Sequence, residues 1–299
     1  MLDKTFIYKS VLPLIKEKSR MLEYYMIQSL FENKDNEIIE ELLKFQNEDG
    51  GFGHGLEPDV QMPYSSVLAT NVAIKALACV KDVLLKEDIV KGIVHYFEDV
   101  YNEKKNRFSM SEDSRLDDYP HAVWWNFNKL DENFPFGNPD PEVIGFLHAN
   151  KKHMRKLEIN KHIDDVITFV MSDRFLESSM HTLLSTMTFY KLVDKNAKAK
   201  IRERIQLLVD KEITEGIGKW DEYSLEPYKI YVIESSFLES HKDVLKENLY
   251  RVESKVSHLD VMPNWKWYQY DEVFEIVKND WIGHMYHEMI LALKIHEKT

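Results

Sequence analysis

The chain has 299 residues, 44% of them hydrophobic and 30% charged, with 39 basic against 51 acidic side chains for a net charge of -12. That is the mix of a water-soluble globular protein able to bury a substantial core, and the acidic balance argues against nucleic acid, anionic membranes and polyphosphates as partners. Only 10 Gly and 9 Pro leave little room for linkers or many-turned β structure, and the lone cysteine, Cys79, excludes an internal disulfide and suits a reducing, cytoplasmic compartment.

The opening stretch MLDKTFIYKSVLPLIKEK has no long apolar core and no small-residue cleavage site, so no secretory signal is expected. No run approaches about 18 apolar residues, so no membrane span is expected either. Asn36 to Gln46 places Ile38, Ile39, Leu42, Leu43 and Phe45 on one face, an amphipathic helix. A polar loop, Asn47 to Tyr64, leads into Ser65 to Val80, which has one charge and apolar residues on every side. The pattern predicts a helix buried on more than one face, with Ser65 as its N-cap. A short link, Lys81 to Lys86, returns the chain to a charged, one-sided helix, Glu87 to Tyr101. The long connection Asn102 to Asn138 follows, and Asn138-Pro-Asp-Pro-Glu142 opens the next helix with Pro141 in its first turn. Ser178 to Val193 is again apolar all round. Asp194 to Asn196 links it to the amphipathic Ala197 to Ile213. The loop Glu215 to Ser224, the amphipathic Glu239 to His258, the loop Leu259 to Asp280 and the charge-poor Trp281 to Ile295 complete the chain.

One-faced helices thus alternate with all-round apolar ones, which predicts an outer shell and an inner ring built from helical hairpins at a period of very roughly 50 residues. The fold expected is all-α, a single domain over 1–299 with about five or six hairpins closed into an α/α toroid. Inner-to-outer links are short and outer-to-inner links long. In a closed ring the long ones emerge at one rim, beside the positive N-termini of the inner helices. All six tryptophans, Trp124, Trp125, Trp220, Trp265, Trp267 and Trp281, fall in those long links or at their edges.

The segment Gln46-Asn-Glu-Asp-Gly-Gly-Phe-Gly53 resembles the Q-x-x-D-G-G-[FW]-G turn repeated in squalene–hopene-type terpene cyclases and in the β subunits of protein prenyltransferases, with weaker echoes at Gly216-Ile-Gly-Lys-Trp220 and Asn106-Arg-Phe. The stretches Leu56 to Thr70 and Pro263 to Asp271, with Trp281, resemble uncharacterised bacterial prenyltransferase-like proteins. The resemblance implies the α/α toroid fold and an isoprenoid ligand. The prenyltransferase zinc site, an Asp, a Cys and a His, has no matching context around Cys79. The D-x-D-D acid motif of the cyclases is absent, Asp117-Asp118 being the nearest approach.

The Asp49-Gly-Gly-Phe-Gly turn has a structural explanation in glycine's access to positive φ and in the bonding of Asp to nearby amides. His54, Glu57 and Asp59 form the chemically interesting part of that loop. Two carboxylates near an imidazole can divide acid and base work when their environments separate their pKa values. They could equally hold a hard cation or stay solvated. Asp117-Asp-Tyr-Pro-His-Ala-Val-Trp-Trp125 adds Asp118, His121, Trp124 and Trp125, and 260–271 adds Trp265, Trp267, Gln269, Tyr270 and Asp271. Aromatic faces beside carboxylates suit a sugar ring or an isoprenoid. Carboxyls about 5 to 9 Å apart would give the geometry of glycoside hydrolysis. His181 could point into the ring. His284 and His287 lie at i and i+3 without the H-E-x-x-H zinc pattern, and no nucleophile arrangement is evident. The residues expected to act are therefore Glu57, Asp59, His54 and Asp118 as the proton-handling set. His121, Trp124, Trp125, His181, Trp265, Trp267, Tyr270 and Asp271 are expected to hold the ligand, with no metal site and no identifiable cofactor. The alternative is a non-catalytic module gripping a ligand or partner protein.

Overall fold

A computed structural model describes residues 3–108, 114–126 and 137–298. Parts of the long connection, 109–113 and 127–136, lie outside the described residues. The first helical stretch, α1, spans 4–18. It begins under an Asp3 cap that accepts from the Thr5 amide and contains a π-helical turn, Ile7–Val11. Then come α2 (Met21–Ser29), α3 (Asp35–Leu43), α4 (Val67–Leu77), α5 (Val83–Val100), α6 (Asp140–Ala149) and α7 (Ile159–Met171). They are followed by α8 (Met180–Leu192), α9 (Lys195–Gly216), α10 (Pro227–Glu234), α11 (Lys242–Ser257) and α12 (Asp271–His296). Among the described residues the only strands are the two-residue pair Tyr101–Asn102 and Arg107–Phe108. The chain is all-α.

Two compact units emerge from the contacts. One comprises 1–93, 110–132 and 249–299, the other 94–109 and 133–248. In the first, α2 packs against α3, α12 and the last part of α1, and α3 packs on α4. Gly283 sets the approach of α12 to α2. A Cβ there would lie 2.4 Å from Ser19 Oγ and 2.8 Å from Glu23 Cβ. In the second unit α8 is central and packs on α6, α9 and α10. Its burial runs round the helix, through Thr182, Leu183, Ser185, Thr186, Met187, Phe189 and Tyr190, as its charge-poor sequence predicts. Asp140 caps the unit's β pair by accepting from the Phe108 amide at 2.7 Å, and burial pushes its carboxyl up to about 6. Glu98 accepts the amides of Arg155, Lys156 and Leu157, fixing the approach to α7.

Three sequence expectations are corrected. The N-cap of α4 is Ser66, whose Oγ accepts from Ala69, while Ser65 instead donates to Asp49. Helix α12 begins at Asp271 rather than Trp281, so the last long link ends ten residues sooner and Asp271 is an exposed first-turn residue. Finally, the supposed polar loop is buried. Every residue from Gly51 to Val60 is buried except His54.

Candidate functional site

The buried loop is folded by its own punctuation. Gly50 has φ 84°, and a Cβ on it would lie 2.5 Å from the Gly92 carbonyl oxygen of α5, so the turn demands glycine. Asp49 accepts from the Gly51 amide and from Ser65 Oγ, and Gln46 Nε2 donates to the Gly50 carbonyl. Phe52 is fully buried, its amide donating to Thr70 Oγ1 on α4. This half of the segment is structural, and its hydrogen bonds continue to His54, which is exposed at φ 55° and bonded to Asn47 at 2.9 Å.

Beyond it, three backbone segments of the first unit run side by side. Val60 is bridged to His121, the Gln61 amide donates to the Pro120 carbonyl, Ala122 donates to Asp59 and Val123 donates to Trp267. The fully buried Trp267 and its neighbours Ala122, Phe274 and Val277 form a core cluster against which Trp125 and Trp265 pack. Trp125 also packs on Val60, Met62 and Leu116.

Asp59 sits at the centre. Its Oδ1 accepts from the indole nitrogens of both Trp267 and Trp281, each at 2.7 Å. Trp281 in turn meets Trp265 edge-on at 5.4 Å and His284 at 5.8 Å between centroids. Burial pushes the Asp59 carboxyl up to about 6, opposed by the two indole donors, which favour the ionised form.

Glu57 is 8% exposed. Its one hydrogen bond among the described residues comes from the Asp59 amide, 3.3 Å from Oε1, and it joins no ion pair there. Burial, and next the neighbouring Asp59 charge, raise its carboxyl to about 8, further than Asp59, against weaker lowering by that amide, Lys75 and Arg20. Of these, Arg20 is committed elsewhere. It makes a two-pronged pair with Glu23, donates to the carbonyls of Gly55 and Leu56 at 2.9 and 3.1 Å, and lies 3.7 Å from Asp280. Burial raises Asp280 to about 6 in spite of Arg20. Three carboxyls, Glu23, Asp280 and Glu57, thus share one guanidinium, and Glu57 is the one that makes neither a hydrogen bond nor an ion pair with it.

The remaining expected residues divide. His121 is buried and bonded through Nε2 to Asn126 Oδ1 at 2.7 Å and through Nδ1 to the Tyr119 carbonyl, with the Tyr270 ring 5.9 Å away. Trp265, Trp267, Trp125 and His121 are therefore gathered around Asp59, while Tyr270 is exposed on the outer side of His121. Asp118, Trp124 and Asp271 are exposed, and Asp118 is not brought into the buried pair. His181 belongs to the second unit, exposed and bonded to the Tyr223 hydroxyl at 2.8 Å.

Sequence reasoning missed Arg20, Glu23 and Asp280 as parts of the site. It also missed the approach of Cys79 Sγ to His287 Nε2, 3.5 Å. Burial pushes that thiol up to about 12 and that imidazole down to about 4, so both stay neutral and no thiolate forms. Among the described residues no group of three His, Cys, Asp or Glu is placed to hold a metal ion. No family model, curated protein or solved structure matches the chain.

Proposed function

We propose that the chain is an enzyme in which Glu57 delivers a proton to a neutral ligand, isoprenoid or carbohydrate, while Asp59 supplies negative charge beside the cation that develops. The observation that supports this most is the state of Glu57: a carboxyl 8% exposed, met among the described residues by one long amide bond and by no ion pair. Such a group keeps its proton through neutral pH, as a general acid must. Asp59 loses its proton first because two indoles stabilise its charge. The pair therefore divides into an acid and an anion, Asp59 ionising before Glu57. Proton delivery leaves Glu57 ionised and uncompensated, which favours prompt return of the proton from water or product.

The wider expectation belongs to the same proposal: one α/α toroid over 1–299, of the terpenoid cyclase and protein prenyltransferase kind, located in the cytoplasm. The Gln46 to Gly53 turn and the charge-poor helices α4 and α8 support it. No helix among the described residues is long and apolar enough to cross a membrane. The alternative, a binding module without turnover, draws on Asp59, whose two indole bonds also serve simply to pin Trp267 and Trp281.

The test is an infrared titration of wild type and Glu57→Gln, followed by a mass-spectrometric product screen with neutral isoprenoids and oligosaccharides. The proposal expects a protonated carboxyl band that persists above pH 7 and vanishes in Glu57→Gln, and turnover that this variant abolishes. A Glu57 that titrates near 4.5 removes the acid. A persistent band without any turnover favours the binding module.

A further inference from the structure

Around Trp267, whose indole bonds Asp59, the first unit displays aromatic rings that its own packing leaves in solvent. Tyr268 is 76% exposed and Tyr270 44%. Both have left-handed backbone, φ 59° and 51°, which bulky side chains avoid. Their neighbours explain it. Trp267 turns inward to Asp59, and Gln269 turns inward to donate to the His121 carbonyl at 2.7 Å and to Asn126 Oδ1 at 2.8 Å. With 267 and 269 both anchored inside, 268 and 270 are thrown outward. Trp124, 37% exposed, stands on the adjoining segment, whose Val123 amide donates to Trp267.

Trp125 carries an independent signal. Its indole N–H is buried and finds no acceptor among the described residues, although the side chain packs against both clusters that flank Asp59. A buried donor without an acceptor is uncommon and costly, which makes it a marker for a ligand oxygen.

These features choose between the two ligand classes. A hydrocarbon gains by being enclosed, and rings this exposed enclose nothing. It also has no oxygen or nitrogen to accept a hydrogen bond from Trp125. A pyranose has both faces of the match: axial C–H groups to lie on Tyr and Trp rings, and hydroxyls to meet the polar groups. The net charge of -12 disfavours acidic sugars.

We propose that this surface binds a neutral oligosaccharide, with Tyr268, Tyr270 and Trp124 stacking on its rings and Trp125 bonding a hydroxyl. The inference rests on the proposed function only in taking a carbohydrate as the ligand. The experiment uses the full chain with maltohexaose, cellohexaose, laminarihexaose, mannohexaose and N-acetylchitohexaose in calorimetry and saturation-transfer NMR, with detergent-dispersed farnesol as competitor. At least one hexasaccharide binds, and Tyr268→Ala with Tyr270→Ala weakens it by about tenfold or more. Both tyrosines are exposed, so that variant keeps its circular dichroism and its Glu57 carboxyl band. Binding by none of the five, binding untouched in the double variant, or displacement by farnesol overturns the inference. If the glycans fail while the Glu57 band persists, the glycan assignment falls and the acid survives. If a glycan binds while Glu57 titrates near 4.5, the acid falls and the glycan assignment stands.

Discussion

Replacing Glu57 by Gln should make the protein more stable in alkali. The sign follows from the direction of the shift. A carboxyl raised from 4.5 to about 8 holds its proton more tightly when folded than when unfolded. Between those values the folded state binds more protons, so stability falls as pH rises. The contribution is intact below 4.5 and lost by the time pH passes 8. At about 1.4 kcal/mol per pH unit, the full loss approaches about 5 kcal/mol, and water entry around the new charge trims it to roughly 3. Glutamine has nearly the same shape and carries no titrating proton, so the variant omits this loss. Urea unfolding at pH 5 and pH 9 measures it, followed by tryptophan fluorescence. Five of the six tryptophans, all but Trp220, lie in the unit that holds Glu57, so the signal reports on that unit. Wild type should weaken from pH 5 to pH 9 by several kcal/mol more than Glu57→Gln, and the variant should be the more stable at pH 9. Parallel pH dependences in the two proteins would refute the claim that Glu57 is a buried, proton-holding acid.

Trp281→Phe deletes one of the two donors that favour ionised Asp59, so the Asp59 carboxyl should move upward by roughly one pH unit or more, read from its infrared band. Arg20→Met leaves Glu23 buried without its partner and strips donors from the Gly55 and Leu56 carbonyls. It should cost about 3–5 kcal/mol in urea unfolding, with Arg20→Lys recovering part. Gly283→Ala forces a methyl against Ser19 Oγ and Glu23 and should cost about 1–3 kcal/mol by the same assay. Cys79 should react with iodoacetamide at pH 8 far more slowly in the native protein than in urea, because its thiol is held up at about 12; equal rates would contradict that burial.

The helices that the sequence announces most clearly are those with one unambiguous cue. Val67–Leu77 and Met180–Leu192 lack charge, and Asp35–Leu43 concentrates its apolar residues on one face. The start of α12 is harder to read. Val273, Phe274 and Val277 continue the helical spacing upstream of Trp281, but a Trp- and Tyr-rich stretch precedes them and reads as loop. The carboxyls Glu57 and Asp59 stand out because they precede a charge-poor helix. Their burial does not, since Gly-Leu-Glu-Pro-Asp is a surface-like string and is covered only when 120–123 and 267 pair beside it. Arg20 had no local signal at all. Its partners at 23, 55, 56 and 280 come together only in the folded unit.

The two indole bonds of Asp59 join residues 208 and 222 positions apart in the chain. During synthesis at about 5–20 residues per second, the aspartate therefore waits roughly 10–40 s for Trp267 to leave the ribosome. Over that interval Gly51 to Val60 has no cover from the C-terminal segment, while the whole of the second unit is made. Chain termination between residues 249 and 266 would yield a nascent protein whose second unit is complete and whose Asp59 has met neither indole.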